Sequence, residues 1–257
     1  MSGRSLDGVE IPDVFFAHAP HLRELWVHIS PVEISFFSGA SPAETLAVCA
    51  AVANEALPGV RPGFRMVRDH YYDTPGLSLF RQGVSVRARE YQVNPRPAYF
   101  EVIAVSWREE VVGAPAEARG NHVLVQSFER SERADFEATM ERYAAAGLRK
   151  TASIAKSRTV FILHPGLSST ETGEPVTASD TRLLVGVQEL VTSDAGLRLI
   201  VDELHDSPFP ERALVEVEFG LAHAAEGVAL AARVRALLGE RLREKALNKI
   251  AYLMEAA

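Results

Sequence analysis

The alternation of apolar and polar positions predicts a chain built mainly of short strands. Seven runs alternate in this way or are rich in β-branched and aromatic residues, which is typical of strands. They are GVSVRAREY, AYFEVIAVSW, HVLVQSFE, KSRTVFIL, TRLLVGVQELV, LRLIVDEL and ALVEVEFG. An earlier segment, LWVHISPVEISFFSG, predicts a further strand that Pro31 interrupts. About eight strands with few helices favour an antiparallel barrel over a βαβ fold.

Three helical segments accompany these strands. The first has Ser41 as its N-cap and Pro42 at its first position. The second has Ser131 as its N-cap and Gly147 just beyond its end, and the third closes the chain with a break at Gly239. The predicted class is therefore α+β, a closed antiparallel eight-stranded β-barrel with flanking helices. A barrel of this size holds side chains or one small ligand.

Length and composition fit one globular domain. The 257 residues are 47% hydrophobic and 24% charged, and we predict an extension over residues 1–25 and a single barrel domain over 26–257. No run is apolar enough to span a membrane, and the beginning lacks the pattern of a secretory signal. Cys49 is the only cysteine, which excludes an internal disulfide and a zinc site built from cysteine pairs. We therefore expect a reducing, cytoplasmic location.

The net charge of −7 argues against broad nucleic-acid binding, which needs a basic face. It leaves room for a basic pocket within an acidic protein. Several strands carry ionic or polar side chains two residues apart, and positions i and i+2 of a strand share a face. These pairs are Arg87 and Arg89, Lys156 and Arg158, Glu216 and Glu218, and Glu33 and Ser35, while Arg198 and Asp202 share a face at i and i+4.

Three interpretations of these pairs are open. They can face water, as on any half-exposed strand. They can face inward and neutralise one another, although desolvation makes buried pairs a poor source of stability. They can also surround a ligand, because guanidinium and ammonium groups bind phosphate and paired carboxylates bind Mg²⁺ or Mn²⁺.

The stretch YYDTPGLSLFRQGVSVRAREY, residues 71–91, adds a family resemblance. It resembles the Tyr-Phe-Asp-Thr-Pro…Leu…Arg…Gly…Leu-Arg-x-Arg segment of the CYTH or triphosphate tunnel metalloenzyme superfamily. That superfamily includes class IV adenylyl cyclases and thiamine, inorganic and mRNA triphosphatases. The segments KSRTVF, LIVDEL and LVEVEFG are similar to its Lys-x-Arg, Asp-containing and Glu-x-Glu strands, in the same order.

The resemblance implies an eight-stranded tunnel, open at both ends, that holds a triphosphate and one or two divalent ions. Carried onto this sequence, it predicts phosphate contacts and metal ligands, and the same-face analysis adds Arg198 as a further substrate contact. The predicted substrate contacts are Arg87, Arg89, Lys156, Arg158 and Arg198, the metal ligands Glu33, Glu216, Glu218 and Asp202, and the catalytic residues Glu216, Glu218 and Lys156.

The sequence also departs from the family pattern. The family begins with Glu-x-Glu-x-Lys, whereas Glu33, Ser35 and Phe37 stand here, and AYFEVIAVSW lacks the lysine of the family's Thr-x-Lys strand. Fewer cations and acids should weaken the binding of a highly charged triphosphate. Phe37 and Trp107 either contact an organic part of the ligand or fill the core.

Two functions follow from this pattern. The first is a phosphohydrolase or related phosphoryl- or nucleotidyl-transfer enzyme that depends on Mg²⁺ or Mn²⁺ and acts on a triphosphate or phosphorylated organic substrate. The second is a repurposed barrel that binds or converts a smaller anionic ligand. The retained glutamates favour the enzyme, because a phosphate binder gains nothing from carboxylates without metal. In either case the expected partner is an anionic phosphorylated small molecule, with a homodimer also allowed.

Overall fold

The computed structural model describes residues 5–6, 9–10, 27–29, 32–92, 99–108, 119–128, 130–164, 196–205 and 212–244. The predicted strand over residues 181–191 and the chain after residue 244 lie outside these ranges, as does most of the N-terminal extension. No helix in the described ranges is long and apolar enough to cross a membrane.

Antiparallel strands form most of the described structure. They are β1 (Ser5–Leu6), β2 (Val9–Glu10), β3 (Val27–Ile29), β4 (Val32–Ser38), β5 (Gly63–Asp73), β6 (Val84–Gln92), β7 (Tyr99–Arg108), β8 (Arg119–Phe128), β9 (Arg149–His164), β10 (Leu197–Leu204), β11 (Ala213–Phe219) and β12 (Leu242–Glu244). The α-helices within the described ranges are α1 (Pro42–Ala56), α2 (Ser78–Arg81), α3 (Arg133–Ala145) and α4 (Ala224–Leu238).

One sheet contains all of the strands except β1 and β2, which pair with each other. Its order is β12-β4-β11-β10-β9-β5-β6-β7-β8-β3. In addition, β4 pairs with β8 through Val32 and Gly120 and through Glu33 and Arg119, so the two sides of the sheet meet there. The predicted α+β class with a large antiparallel sheet is confirmed. Full closure into an eight-stranded barrel stays a prediction, because this seam consists of two residue pairs.

The helices cover the outer face of the sheet. Helices α1 and α4 pack on the apolar outer residues of β4, β9, β10 and β11, where Phe219 and Val234 are fully buried. Helix α3 covers β6, β7 and β8, and its Phe136 stacks on Phe100 with ring centroids 4.9 Å apart. This covering leaves the charged positions of the strands on the opposite, inner face.

One end of the inner face is apolar. Five side chains of the inner face form a buried cluster at this end, which we call the apolar floor: Phe37, Tyr71, Ile154, Leu204 and Leu214. Phe80, in helix α2, packs against it. The resemblance implied a tunnel open at both ends, whereas this end of the inner face is packed with apolar side chains.

Local signals predicted some elements better than others. Ser41 caps α1 by accepting a hydrogen bond from the Glu44 N–H at 3.2 Å, as predicted. The N-cap assigned to Ser131 was wrong, because a 3₁₀ turn over residues 130–132 precedes α3 and Glu132 occupies the cap position. Gly147 has φ +89°, as the residue after that helix should, and α4 ends at Gly239.

Candidate active site

The strand register brings the predicted ionic residues to one face. Residues that pair across an antiparallel ladder point to the same side. Arg158 pairs with Asp202, Arg198 with Glu218, and Glu218 in turn with Glu33. On the other side of β9, β5 and β6 continue the same face, because Asp69 pairs with Arg89.

Asp69 is the centre of a buried ionic cluster. Its carboxylate accepts two hydrogen bonds from Arg89, at 2.6 Å from Nε and 2.8 Å from Nη2, and lies 3.1 Å from Lys156 Nζ. Asp69 and Lys156 are 0% exposed. Burial raises the pKa of Asp69, but Arg89, Lys156 and Arg87 outweigh it and hold the pKa well below its usual range.

Asp202 continues this cluster toward β11. Its carboxylate lies 3.0 Å from Lys156 Nζ and accepts hydrogen bonds of 2.7 Å from Nε and 2.7 Å from Nη2 of Arg158. Arg158 also donates a bond of 2.9 Å to Glu216 Oε2. Cations and acids therefore alternate across five strands in what we call the ionic cluster: Arg89, Asp69, Lys156, Asp202, Arg158 and Glu216.

Tyr91 and Glu101 extend the ionic cluster on the other side. Arg89 donates a bond of 3.2 Å to the Tyr91 hydroxyl, which donates one of 2.7 Å to Glu101. Burial and Glu101 raise the pKa of Tyr91 to about 12, against the lowering effect of Arg89. The phenol therefore stays protonated and links a cation to an acid.

Arg87 differs from the other cations of this face. Its Nε is buried and has no hydrogen-bond partner within the described ranges. Arg87 pairs with Tyr71 and Ile103 in the ladders, and its charge contributes to the low pKa of Asp69. A buried guanidinium nitrogen without a partner is costly, so it is a natural contact for an anionic ligand.

The predicted metal ligands Glu33, Glu216 and Glu218 lie on neighbouring strands. Glu218 stands directly opposite Glu33, and Glu216 lies two residues away on the same face. Burial raises the pKa of Glu218, Glu216 raises it further, and Arg158 and Arg198 lower it without cancelling these effects. A carboxylate held in this way would be stabilised by an added cation.

These carboxylates do not yet converge on one point. Among the described residues, the His, Cys, Asp and Glu donor atoms that lie within 4.8 Å of one another belong to His164, His223 and Glu226, and not to these carboxylates. Asp202 is engaged with Arg158 and Lys156, and Glu216 with Arg158. The four predicted ligands therefore share a face without forming a closed coordination shell.

The Asp-Thr-Pro motif that carries the resemblance has a structural role here. The Asp73 carboxylate accepts backbone N–H bonds from Thr74 at 2.6 Å, Leu79 at 3.0 Å and Phe80 at 2.9 Å. These bonds satisfy the free donors at the start of α2. They also hold Phe80 against the apolar floor. Asp73 thus positions the end of the inner face and is paired with backbone rather than with ligand.

The structure also explains why a phenylalanine, Phe37, stands where the family's first-strand pattern has a lysine. Phe37 is 4% exposed and belongs to the apolar floor, so it fills the core. The Trp107 side chain lies outside the described part of the structure.

Formal charges balance among the side chains of this face that the structure describes. Among the described side chains we find six cations, Arg65, Arg87, Arg89, Lys156, Arg158 and Arg198, and six acids, Glu33, Asp69, Glu101, Asp202, Glu216 and Glu218. The register therefore supports an inward orientation of the pairs, and the ionic cluster shows that many of them neutralise one another.

Sequence analysis missed strand β5 and with it Asp69. The available signal was the set of odd positions Arg65, Val67, Asp69 and Tyr71, which share the inner face. Apolar and charged residues occur on both faces of this strand, so no simple alternation marks it. Glu101 was missed because it is the one acid within a largely apolar run, and Tyr91 because its bond to Glu101 forms only when β6 and β7 pair.

The fold is similar to that of several solved structures. No family model and no curated protein sequence matches the chain. The PH1819 protein from Pyrococcus horikoshii matches with a TM-score of 0.52 at 13% identity, covering 88% of this chain and 99% of that one. The chain has a CYTH-like fold. A proposed adenylate cyclase from Vibrio parahaemolyticus matches with a TM-score of 0.50 at 12% identity, covering 88% of this chain and 98% of that one. The CYTH-like fold is thus retained at an identity too low to transfer a function.

Proposed function

We propose that the sheet closes through β4 and β8 into a barrel whose interior binds a phosphorylated small molecule together with a divalent cation. The reaction is phosphoryl or nucleotidyl transfer, and hydrolysis of a triphosphate or phosphorylated organic substrate is its simplest form. The buried Nε of Arg87, which lies beside the ionic cluster and has no hydrogen-bond partner among the described residues, is the observation that carries this proposal.

The other cations have graded roles in this proposal. Arg89, Lys156 and Arg158 are each held by Asp69 or Asp202, so their positions are fixed before a ligand arrives. Preorganised charges of this kind stabilise charge that develops in a transition state. Lys156 lies between both carboxylates and is the central cation, and Arg198 serves the end of the face near Glu218.

The donor chemistry fits Mg²⁺ or Mn²⁺. Glu33, Glu218 and Glu216 offer oxygen ligands, which these ions prefer, and the pKa of Glu218 is raised first by burial and then by the neighbouring Glu216. A divalent ion there supplies charge neutralisation for the transferring phosphoryl group. Asp202, already bonded to two cations, acts mainly to position Arg158 and Lys156, with metal binding as its secondary role.

The charge balance supports metal dependence. A triphosphate carries several negative charges, and the equal numbers of cations and acids among the described side chains of this face offer no net attraction for it. Added divalent ions would provide the missing positive charge. Nucleotidyl transfer is included because one fold neighbour is a proposed adenylate cyclase, but that likeness concerns fold alone.

A second candidate is a barrel that binds or converts a smaller anion. The same charge balance favours it, because a ligand with one or two negative charges could bind to Arg87 without metal. The predicted cytoplasmic location, single domain and homodimer are compatible with both candidates and remain predictions.

Thermal unfolding with tripolyphosphate, ATP and pyrophosphate, each with and without Mg²⁺ or Mn²⁺, separates the two candidates. A ligand that binds the folded state raises the melting temperature by mass action. If the protein is the proposed enzyme, the anions should raise its melting temperature only when metal is present, and inorganic phosphate or pyrophosphate should be released. Stabilisation by the anion alone, without turnover, would support the smaller-anion candidate.

Matched variants test the residues. Arg87→Ala should weaken anion binding by about tenfold to a hundredfold, because a hydrogen bond to a charged group contributes ~1.5–3 kcal/mol. Arg68→Ala, on the exposed outer face of β5, is the control. Glu216→Ala with Glu218→Ala should remove the metal response and leave some anion binding, whereas Glu203→Ala on the outer face of β10 should keep both. An unchanged metal response in the double variant would refute the assignment.

A further inference from the structure

A second cluster of metal-binding side chains lies outside the inner face, where the end of β9 meets the start of α4. His223 Nδ1 is 2.9 Å from Glu226 Oε2, and the rings of His164 and His223 stack with centroids 4.7 Å apart and planes 11° apart. One donor atom from each of the three residues lies within 4.8 Å of the other two.

The backbone fixes both sides of this cluster. His164 is the last residue of β9 and pairs with Leu197 on β10. The His223 N–H donates to the Gly220 carbonyl at 2.9 Å, and the Gly220 N–H donates to the Gly196 carbonyl at 2.9 Å. The donors therefore lie on structured elements, which hold ligands more accurately than free loops do.

The approach of α4 to the sheet depends on Gly227. A Cβ at this position would overlap the Phe219 ring, so a glycine lets the first turn of α4 sit against the end of β11. His223 and Glu226 are carried by this turn, and its close packing keeps them beside His164.

Helix capping explains only part of the arrangement. Glu226 in the first turn of α4 is favourable for the helix dipole, and its contact with His223 is a common i,i+3 pair. Capping gives no reason for His164, from a different element, to stack face to face on the His223 ring. A shared ligand accounts for all three residues.

We propose that His164, His223 and Glu226 form a surface site for one zinc-type divalent ion. Two imidazole nitrogens and one carboxylate oxygen suit Zn²⁺, Co²⁺ or Ni²⁺, whereas Mg²⁺ prefers oxygen ligands alone. Donor atoms around a tetrahedral zinc lie about 3.3 Å apart, given metal–ligand distances of ~2.0 Å. The donor atoms already lie within 4.8 Å of one another, and because a metal lies in the plane of each imidazole that binds it, the two stacked rings must rotate out of their parallel arrangement to share one ion. If the metal binds His223 Nδ1, any proton on that nitrogen moves to Nε2 of the same ring or to solvent, and Glu226 turns from its contact with His223 to the metal.

A metal bound at this site would cross-link the end of β9 to the start of α4. An ion that binds only the folded state raises its stability, and it ties the first turn of α4 to the end of β9. This consequence is independent of any ligand on the inner face, and it can be measured without an activity assay.

The test uses the full chain without a polyhistidine tag. Zn²⁺ is titrated into it and binding is measured by calorimetry. Excess Mg²⁺ is present throughout so that sites made only of oxygen ligands are already occupied. We expect one zinc per chain and a higher melting temperature. With Co²⁺, the visible absorption of a tetrahedral nitrogen and oxygen site should appear. His164→Ala and His223→Ala should each weaken zinc binding by about tenfold or more, because loss of even an outer partner costs ~10–100-fold.

Two control variants sharpen the result. His205→Ala removes an exposed histidine that bonds to Ser157, and it should bind zinc as the wild type does. Glu216→Gln with Glu218→Gln disables the inner carboxylates and should also keep zinc binding, so this test is separate from that of the proposed function. Equal zinc affinity in the wild type, His164→Ala and His223→Ala, or no binding by the wild type, would overturn the proposal.

Discussion

Replacing Asp69 with asparagine tests the ionic cluster at its centre. The side chain keeps its shape and one acceptor oxygen, but the new amide group presents hydrogen atoms to donors. Asp69 accepts two bonds from Arg89 and lies 3.1 Å from Lys156, so the change leaves two buried cations without their common counter-charge. Removing one partner of a buried ion pair costs about 3–5 kcal/mol.

This loss is a large fraction of the total unfolding free energy of a typical domain, which is about 5–15 kcal/mol. Urea denaturation followed by circular dichroism would measure it. Glu203→Gln, an exposed acid on β10, is the matched control and should change stability by less than about 0.5 kcal/mol. The double variant Asp69→Asn with Arg89→Gln should lose less than the sum of the two single changes, because neither charge is then left alone.

Asp69→Asn should lower the stability of the free protein but strengthen its binding of anions. It removes one negative charge from the inner face, so tripolyphosphate should raise the melting temperature of Asp69→Asn more than that of the wild type. Each tenfold gain in affinity adds about 1.4 kcal/mol of stabilisation at saturating ligand. If Asp69→Asn were as stable as the Glu203→Gln control, the buried pairing of Asp69 would be refuted.

Three further predictions concern single residues. Glu218→Gln should stabilise the protein at pH 8 but not at pH 4. The folded-state pKa of Glu218 is raised, so the stability that protonated Glu218 contributes is fully present below its unfolded pKa of about 4.3 and is lost as pH rises through the folded pKa. Glutamine is neutral at both pH values and therefore avoids this loss. Melting curves at both pH values check this, and equal effects at both would contradict it. The folded-state pKa of Asp69 is depressed, so its contribution is present above about pH 3.9 and lost as pH falls through the folded pKa. Acid titration of the wild type and of Asp69→Asn by near-ultraviolet circular dichroism should therefore show a smaller acid-dependent loss in the variant, and parallel curves would argue otherwise. Gly227→Ala should cost about 1–3 kcal/mol through overlap with Phe219, although alanine normally favours a helix by ~1 kcal/mol. A stabilised variant in urea denaturation would show that α4 packs less closely than described.

Local chemistry made some parts of this fold predictable from sequence. The start of α1 depends on Ser41 and its near neighbours, and the ends of α3 and α4 depend on Gly147 and Gly239. The charged pairs of β6, β9 and β11 were recognisable because period two is a property of a single strand.

Pairing between strands was not predictable in this way. Asp69 and Lys156 are 87 positions apart in the chain, and their contact depends on the register between β5 and β9. The role of Asp202 as partner of Arg158 likewise depends on the β9–β10 register. Sequence analysis identified which side chains are ionic and which face they share, but the acids that hold each cation came only from the assembled sheet.

The apolar floor has a consequence for the kind of molecule this chain could process. In the closed barrel that we propose, the aromatic and aliphatic groups packed at one end, such as Phe37 and Leu214, would direct a guest to the opposite end. A long polymer could then insert only its terminus and could not thread through, and a spent product would have to leave before the next molecule arrived.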